Sequence, residues 1–463
     1  MKFLKNRSIS FTEGPVVSKL ILFAIPIILS ELLQNLYNSA DSLIVGNYVG
    51  EASLAAVSVC GPITNLLIGF FNGMSIGNTV MVAHAFGSGK EEETRKAVRY
   101  AFTFSIALGV AVAALGILLA PVLLDITGCN EEIYAEAIVY LRIYLAGLLF
   151  TVIYNCGTGI LRAVGDSTSP LAVLAVTSIL NIILDFLFVA VFGWGTAGVG
   201  IATILAQGVS VLLIHRLIGR RVGVRPVAFR ETWQSGRRSV LVSMNVGLAA
   251  GLQNALISFS NIFVWSYINV FPTSVSAGIG VASKIDRFVI LPCKSLAMTT
   301  TTYVSQNLGA GEYKRARKGF WYGLGLSASV TLVLAVLLYL FAEPAARLFS
   351  PEPDVIAASA GMSRLFAPLY IFMILREVIQ GYLRGYGRSK VPMLLSLVGM
   401  VGIRQLFLAW ATAKWPGELF IIYICYPLGW FMNALLLFIY MMIVLKKMWR
   451  QAEERNMAES RAA

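Results

Sequence analysis

Runs of about twenty apolar residues recur from Leu20 to Leu445, each bounded by short polar stretches or by Gly and Pro. Each run is long enough to cross a hydrocarbon core of about 30 Å as a helix. The pattern places spans at 17–46, 53–84, 97–120, 135–161, 170–192 and 197–218, then 238–268, 275–305, 319–341, 357–383, 391–412 and 418–445. The expected fold class is an all-α polytopic membrane protein with twelve transmembrane helices. The longest inner connection, about 219–236, holds Arg220, Arg221, Arg225 and Arg230 and reads as a linker. It divides the chain into an N-lobe at 1–218 and a C-lobe at 237–448, with a tail at 449–463.

An internal repeat supports that division. Phe86-Gly87-Ser88-Gly89-Lys90, with Arg95-Lys96 after it, aligns with Leu308-Gly309-Ala310-Gly311-Glu312 and Arg317-Lys318 at an offset of 222. The same 222 carries Leu161-Arg162-Ala163-Val164-Gly165-Asp166-Ser167 onto Leu383-Arg384-Gly385-Tyr386-Gly387-Arg388-Ser389. Further upstream, Leu33-Gln34-Asn35 matches Leu252-Gln253-Asn254 at an offset of 219. Six spans per half is an even number, so the halves share one orientation and are expected to be related by a pseudo-two-fold along the membrane normal. Repeats of that kind build secondary transporters.

Composition agrees with lipid as the solvent: 57% of residues are hydrophobic and 13% charged, against roughly 25% charged in soluble domains. The net charge of +13 invites a nucleic-acid reading until its distribution is followed. Most Lys and Arg fall in alternate loops, while the intervening ones carry Asp125, Glu131, Glu132, Glu352 and Asp354. That is the positive-inside asymmetry, which puts both termini in the cytoplasm of a multi-pass cell-membrane protein and leaves no nucleic-acid partner. The five cysteines are scattered and suggest neither a disulfide framework nor a metal site.

A primary pump would need a nucleotide site. Gly87-Ser88-Gly89-Lys90 fails the phosphate-loop pattern, because His84 stands where the first Gly belongs and Glu91 follows the Lys. The two histidines, His84 and His215, lie on separate spans. No catalytic cluster or cofactor is expected, so the chain is read as a transporter and not an enzyme, driven by an ion gradient.

Polar residues within the spans carry the chemistry, since a carboxylate in lipid is costly and faces a cavity or a partner. In the first span Glu31, Gln34, Asn38 and Asp41 form one stripe; in the fifth, Thr177, Asn181 and Asp185 repeat every four residues; in the sixth, Thr203 and Gln207 do so. The bland alternative is interhelical glue, which suits Asn, Thr and Gln better than it suits Asp. By the offsets, Asp41 falls on Ser260, Asn181 on Ile403, Asp185 on Phe407 and Thr203 on Cys425, so the second half lacks these acids. It has its own stripe of Asn254, Ser258 and Asn261, and Asp286 and Glu377 are expected to neutralise nearby bases. Pro26 interrupts the first span's hydrogen bonds and is a candidate hinge.

The residues Leu36-Tyr37-Asn38-Ser39-Ala40-Asp41, Leu180-Asn181-Ile182-Ile183-Leu184-Asp185, Gly200-Ile201-Ala202-Thr203 and Gln306-Asn307-Leu308-Gly309-Ala310-Gly311 give the sequence its resemblance. In that order and spacing it resembles the multidrug and toxic compound extrusion family, in its prokaryotic DinF-type branch, from Gly14 to about Lys447. The resemblance implies a secondary antiporter that exports organic, cationic or amphipathic compounds in exchange for H⁺ or Na⁺. It implies a coupling-ion site at Asp41, Asn181, Asp185 and Thr203. Substrate-cavity candidates are Gln34, Tyr37, Asn38, Gln207, Asn254, Ser258 and Asn261. The expected partners are the lipid bilayer and small-molecule substrates, with the chain acting as a monomer. The alternative is a lipid-linked precursor flippase of the wider superfamily, which usually has fourteen spans and a basic central cavity.

Overall fold

The computed structural model describes residues 9–49, 51–224 and 237–462, without the side chains at 38, 40–43, 45–47, 51–54, 237–240 and 446–462. Most of the expected linker therefore lies outside the described residues. So do the side chains of two candidate residues, Asn38 and Asp41, whose backbone sits in the first helix.

The elements are almost all helical. The first half holds α1 (Val16–Tyr48), α2 (Glu51–Gly87), α3 (Glu91–Thr127), α4 (Glu131–Ala163), α5 (Thr168–Asp185) and α6 (Gly195–Val222), with a π turn, Phe186–Val191, continuing α5. The second holds α7 (Arg237–Ile268), α8 (Thr273–Gly309), α9 (Tyr313–Leu340), the short α10 (Ala342–Arg347) and α11 (Pro353–Gly385). After these come α12 (Lys390–Leu397), a π turn at Val398–Ile403, α13 (Arg404–Lys414) and α14 (Leu419–Ala462). Among the described residues eleven helices are long and apolar enough to span a membrane. The twelfth long helix, α8, has 37 residues but is diluted by Lys284, Asp286, Arg287, Lys294 and the Thr299–Thr302 run. Those four threonines are at most 3% exposed. Thr299, Thr300 and Thr301 return their hydroxyl protons to carbonyls one turn back, which makes polar residues tolerable inside a helix core.

Several helices outrun their expected spans: α3 has 37 residues, roughly 55 Å at 1.5 Å per residue. Its first turn, Glu91–Glu93, is charged and suits the positive end of a helix dipole. At the other end Gly128 (φ +68) closes the helix in the left-handed region. Leu118, Ile126, Leu212, Val333 and Leu340 are exposed along the spans, as a lipid-facing surface requires. The short α10 carries no apolar pattern long enough to have been expected.

The sequence repeat is a repeat of turns. Gly165 (φ +87) and Gly387 (φ +72) sit in the left-handed region at the same place after α4 and α11. Each donates to the matching Arg162 or Arg384 carbonyl, and the next residue, Asp166 or Arg388, reaches back to Leu161 or Leu383. A side chain at φ near +80° is strained, so glycine is retained in both halves.

The constant offset does not survive into the next helix. In the π turn Val398–Ile403 the backbone bonds reach one residue further, which inserts one residue ahead of Arg404. The correspondence becomes 223, so Asn181 pairs with Arg404 and Asp185 with Leu408 in place of Ile403 and Phe407. Burial agrees: Asn181 and Asp185 are 2% and 0% exposed, Arg404 and Leu408 1% and 0%, while Ile403 and Phe407 are half-buried. The π turn after Asp185 inserts the matching residue in the first half, and Thr203 again falls on Cys425.

Two compact units result, one over Leu22–Gly251 with Ile9 and Ser10, the other over Phe11–Ile21 and Leu252–Ala463. Within the first, α4 packs on α2, α3 and α6. Asn78 gathers α2, α3, α4 and α7, accepting from Ser243 at 2.7 Å and donating to Ser105 and Cys156. Within the second, α11 packs on α8, α9 and α14. Gly381 lets α11 approach α8 so closely that Thr301 Oγ1 reaches the Gly381 carbonyl at 2.8 Å.

Candidate functional site

In the first unit residues of α1, α4, α5 and α6 line a small, partly open cavity. It is lined by Tyr37, Tyr154, Leu174, Thr177, Ser178, Asn181, Thr203, Ala206, Gln207 and Ser210. The helical period explains the lining: Thr177, Ser178 and Asn181 share one face of α5, and Thr203, Gln207 and Ser210 one face of α6. Its volume is about 20 Å³. That is room for one water or a bare cation, well short of the ≈ 300 Å³ at which organic-ligand sites begin.

The lining is rich in oxygen acceptors. Thr177, Thr203 and Ser210 donate their protons to carbonyls of their own helices, at 2.9, 3.0 and 3.0 Å. Their oxygens therefore retain lone pairs for another donor or a cation. Asn181 Oδ1 and Gln207 Oε1 are buried and have no hydrogen-bond partner among the described residues. A polar atom left so in a protein interior costs about 1–3 kcal/mol. One turn beyond Asn181 on the same face lies Asp185, fully buried but outside the cavity lining.

Of the expected coupling residues, the structure brings Asn181 and Thr203 to one cavity, with Asp185 adjacent on α5. Of the substrate-cavity candidates, Tyr37 and Gln207 line the same ion-sized space. Gln34 is exposed, and Asn254, Ser258 and Asn261 are half-buried on α7 in stretches outside that lining. Tyr154, Ser178 and Ser210 line the cavity without having been expected. In the sequence they are an aromatic and two hydroxyls within apolar helices, which is also how core residues look. Glu31 interacts electrostatically with Arg162 and Tyr154. A charge partner on α4 is thus available to the extra acid of α1. Pro26 lies inside α1, where its carbonyl accepts from Ser30 at 2.7 Å.

The second unit has a polar interior of different sign. Glu377 pairs with Arg376 at 2.6 Å, and Asp286 accepts a hydrogen bond from Tyr370. Arg384 donates to Gln253 and Gln380, and Gln380 continues through Ser396 to Asn433. The expected neutralisation by Glu377 is seen with Arg376, and Asp286, whose hydrogen bond is to a phenol, interacts electrostatically with Lys294, Arg287 and Arg376. No group of three or more His, Cys, Asp or Glu suited to a metal occurs among the described residues.

The model of the MatE family matches residues 26–187 and 249–410, one stretch in each half. Among curated relatives, the chain is 29% identical over 421 residues to the probable multidrug resistance protein YpnP of Bacillus subtilis, covering 89% of this chain and 92% of that one. It is 25% identical to the probable multidrug resistance protein NorM of Thermotoga maritima, with 84% of each chain covered. Among solved structures, a MATE transporter in its bent conformation superposes with a TM-score of 0.89 at 22% identity, over 98% of this chain and 99% of that one.

Proposed function

The chain belongs to the MatE family, and from that premise we propose that it is a secondary antiporter which exports organic, cationic or amphipathic compounds in exchange for H⁺ or Na⁺. The observation that carries the reading is the ion-sized cavity of the first unit, whose lining presents acceptor oxygens, Asn181 Oδ1 and Gln207 Oε1 among them. Such a cavity suits a proton or a bare cation. Asp185 beside it, and Asp41 on α1, would supply the charge that makes the cation's binding depend on the membrane gradient. Neutral oxygens and carboxylates serve a proton and Na⁺ equally well, so the ligand set admits either ion. An ion that favours one arrangement of α1 around Pro26 and a substrate that favours another would be coupled through that difference.

The flippase alternative gains nothing from these neighbours, which are named as multidrug resistance proteins. The test is efflux of a cationic dye from cells expressing the protein. Retention should fall on expression, and collapsing both ion gradients should restore it while ATP remains. Efflux that survives loss of the gradients and follows ATP would refute the proposal.

A further inference from the structure

Arg404 opens α13 directly after the π turn, and its side chain runs inward. It is 1% exposed, and no carboxylate pairs with it among the described residues. Its Nη2 donates to Ser260 Oγ at 2.8 Å, and its guanidinium carbon lies 5.6 Å from the centre of the Tyr426 ring. Cys425 is also close enough to interact with its charge. Gln405 Nε2 donates to the same serine, at 2.9 Å to Oγ and 2.8 Å to the carbonyl. Burying a cation among neutral groups and a ring face, with the like charge of Arg376 within reach, is expensive.

The location explains the expense. Ser260 holds in α7 the place of Asp41 in α1, and Cys425 in α14 the place of Thr203 in α6. With the π turn counted, Arg404 holds the place of Asn181. Three positions of the first unit's candidate ion site thus recur in the second unit as a serine, a cysteine and an arginine, the arginine bonded to the serine and within electrostatic reach of the cysteine. The carboxylates are gone, and a positive charge has arrived on a side chain.

We propose that the guanidinium of Arg404 is a resident cation, fixed covalently at the second unit's counterpart of the exchangeable ion site. The second unit is then held permanently in the cation-filled arrangement, and ion exchange is confined to the first. Ser260 and the Tyr426 face are the cation's binding groups, with Gln405 orienting Ser260. Tyr426 supplies quadrupole attraction without a charge that would demand a counter-ion. The comparison rests on the coupling-site reading of the first unit, whereas the geometry belongs to the second unit alone.

The test is chemical replacement. In the full-length protein carrying Arg404→Ala, millimolar guanidinium, too dilute to denature, should raise the melting temperature by several degrees. The neutral isostere urea at the same concentration should not, and neither should shift the unaltered protein. Equal responses to guanidinium and urea, including none to either, would overturn the proposal. Should Arg404→Ala fail to fold, two substitutions at Ser260 decide instead. Ser260→Asp, placing a carboxylate against the cation, should melt at or above the unaltered protein, and Ser260→Lys well below it; the reverse order would overturn the proposal. Melting requires no transport, so these results stand apart from the dye-efflux test, and failure of one leaves the other readable.

Discussion

Asn181 carries a buried amide whose oxygen and nitrogen have no hydrogen-bond partner among the described residues, a cost that folding alone does not reward. Replacing it with leucine, which has the same branched shape and is apolar, removes that cost. Asn181→Leu is expected to raise stability by about 1 kcal/mol, read as a higher melting temperature, while abolishing gradient-driven efflux. A destabilised variant that still transports would show the amide to be structural. Asp41→Asn and Asp185→Asn should each reach the membrane yet lose efflux by about tenfold or more, since ~1.4 kcal/mol of lost differential ion affinity already costs that factor. Glu31→Gln should be milder, because Glu31 interacts with Arg162 and Tyr154 outside the proposed ligand set. Wild-type rates and ion dependence in both aspartate variants would move the search for the coupling site to Asp286 and Glu377. Asn181, Asp185, Thr203 and Gln207 were legible in the sequence because oxygen-bearing side chains four residues apart on an apolar helix must share one face, and lipid is a costly neighbour for it. Tyr154, Ser178 and Ser210 were not, since nothing in sequence separates a cavity wall from a core.

At the level of helices, hydropathy marks where the chain crosses lipid, but it does not register how a helix is wound. Both π turns escaped the sequence because one inserted residue leaves composition and period almost unchanged. In the second half this hid the partner of Asn181, so a constant offset assigned Ile403 where the buried face presents Arg404. Close approach between helices is equally silent. A Cβ on Gly77 would lie 2.2 Å from the Ser243 carbonyl, whereas one on Gly61, in the same helix, would meet nothing within 4 Å. Gly77→Ala should therefore destabilise the protein by about 1–3 kcal/mol, as overpacking does, and disturb the Asn78–Ser243 hydrogen bond. Gly61→Ala should be neutral or stabilising, since alanine exceeds glycine in helix propensity by about 1 kcal/mol. Thermal melts of the two variants decide it: similar gains from both would mean that propensity, and not the α2–α7 contact, governs this helix.

For the whole molecule, duplication has preserved the turns and the glycines that make them while letting the interiors diverge in charge. The first unit keeps Asp185 one turn from the lining of a cavity of about 20 Å³, and the second keeps Arg384 and Arg404 with the Arg376–Glu377 pair. On the proposed coupling-site reading one site in the first unit serves a proton or Na⁺, and a protonated carboxylate is a poor Na⁺ ligand. The two ions must then compete. In proteoliposomes with separately imposed gradients, the gradient that drives efflux of a cationic dye should lose its effect in Asp41→Asn. If Na⁺ is that driver, the Na⁺ concentration for half-maximal efflux should rise as the pH falls from about 7.5 to about 6, without a change in the maximal rate at saturating Na⁺, because added Na⁺ displaces the protons. If protons drive, raising Na⁺ at fixed pH should slow efflux, and lowering the pH should relieve the inhibition. Independence of the two ions would place them at separate sites and exclude one shared oxygen cluster as the coupling device.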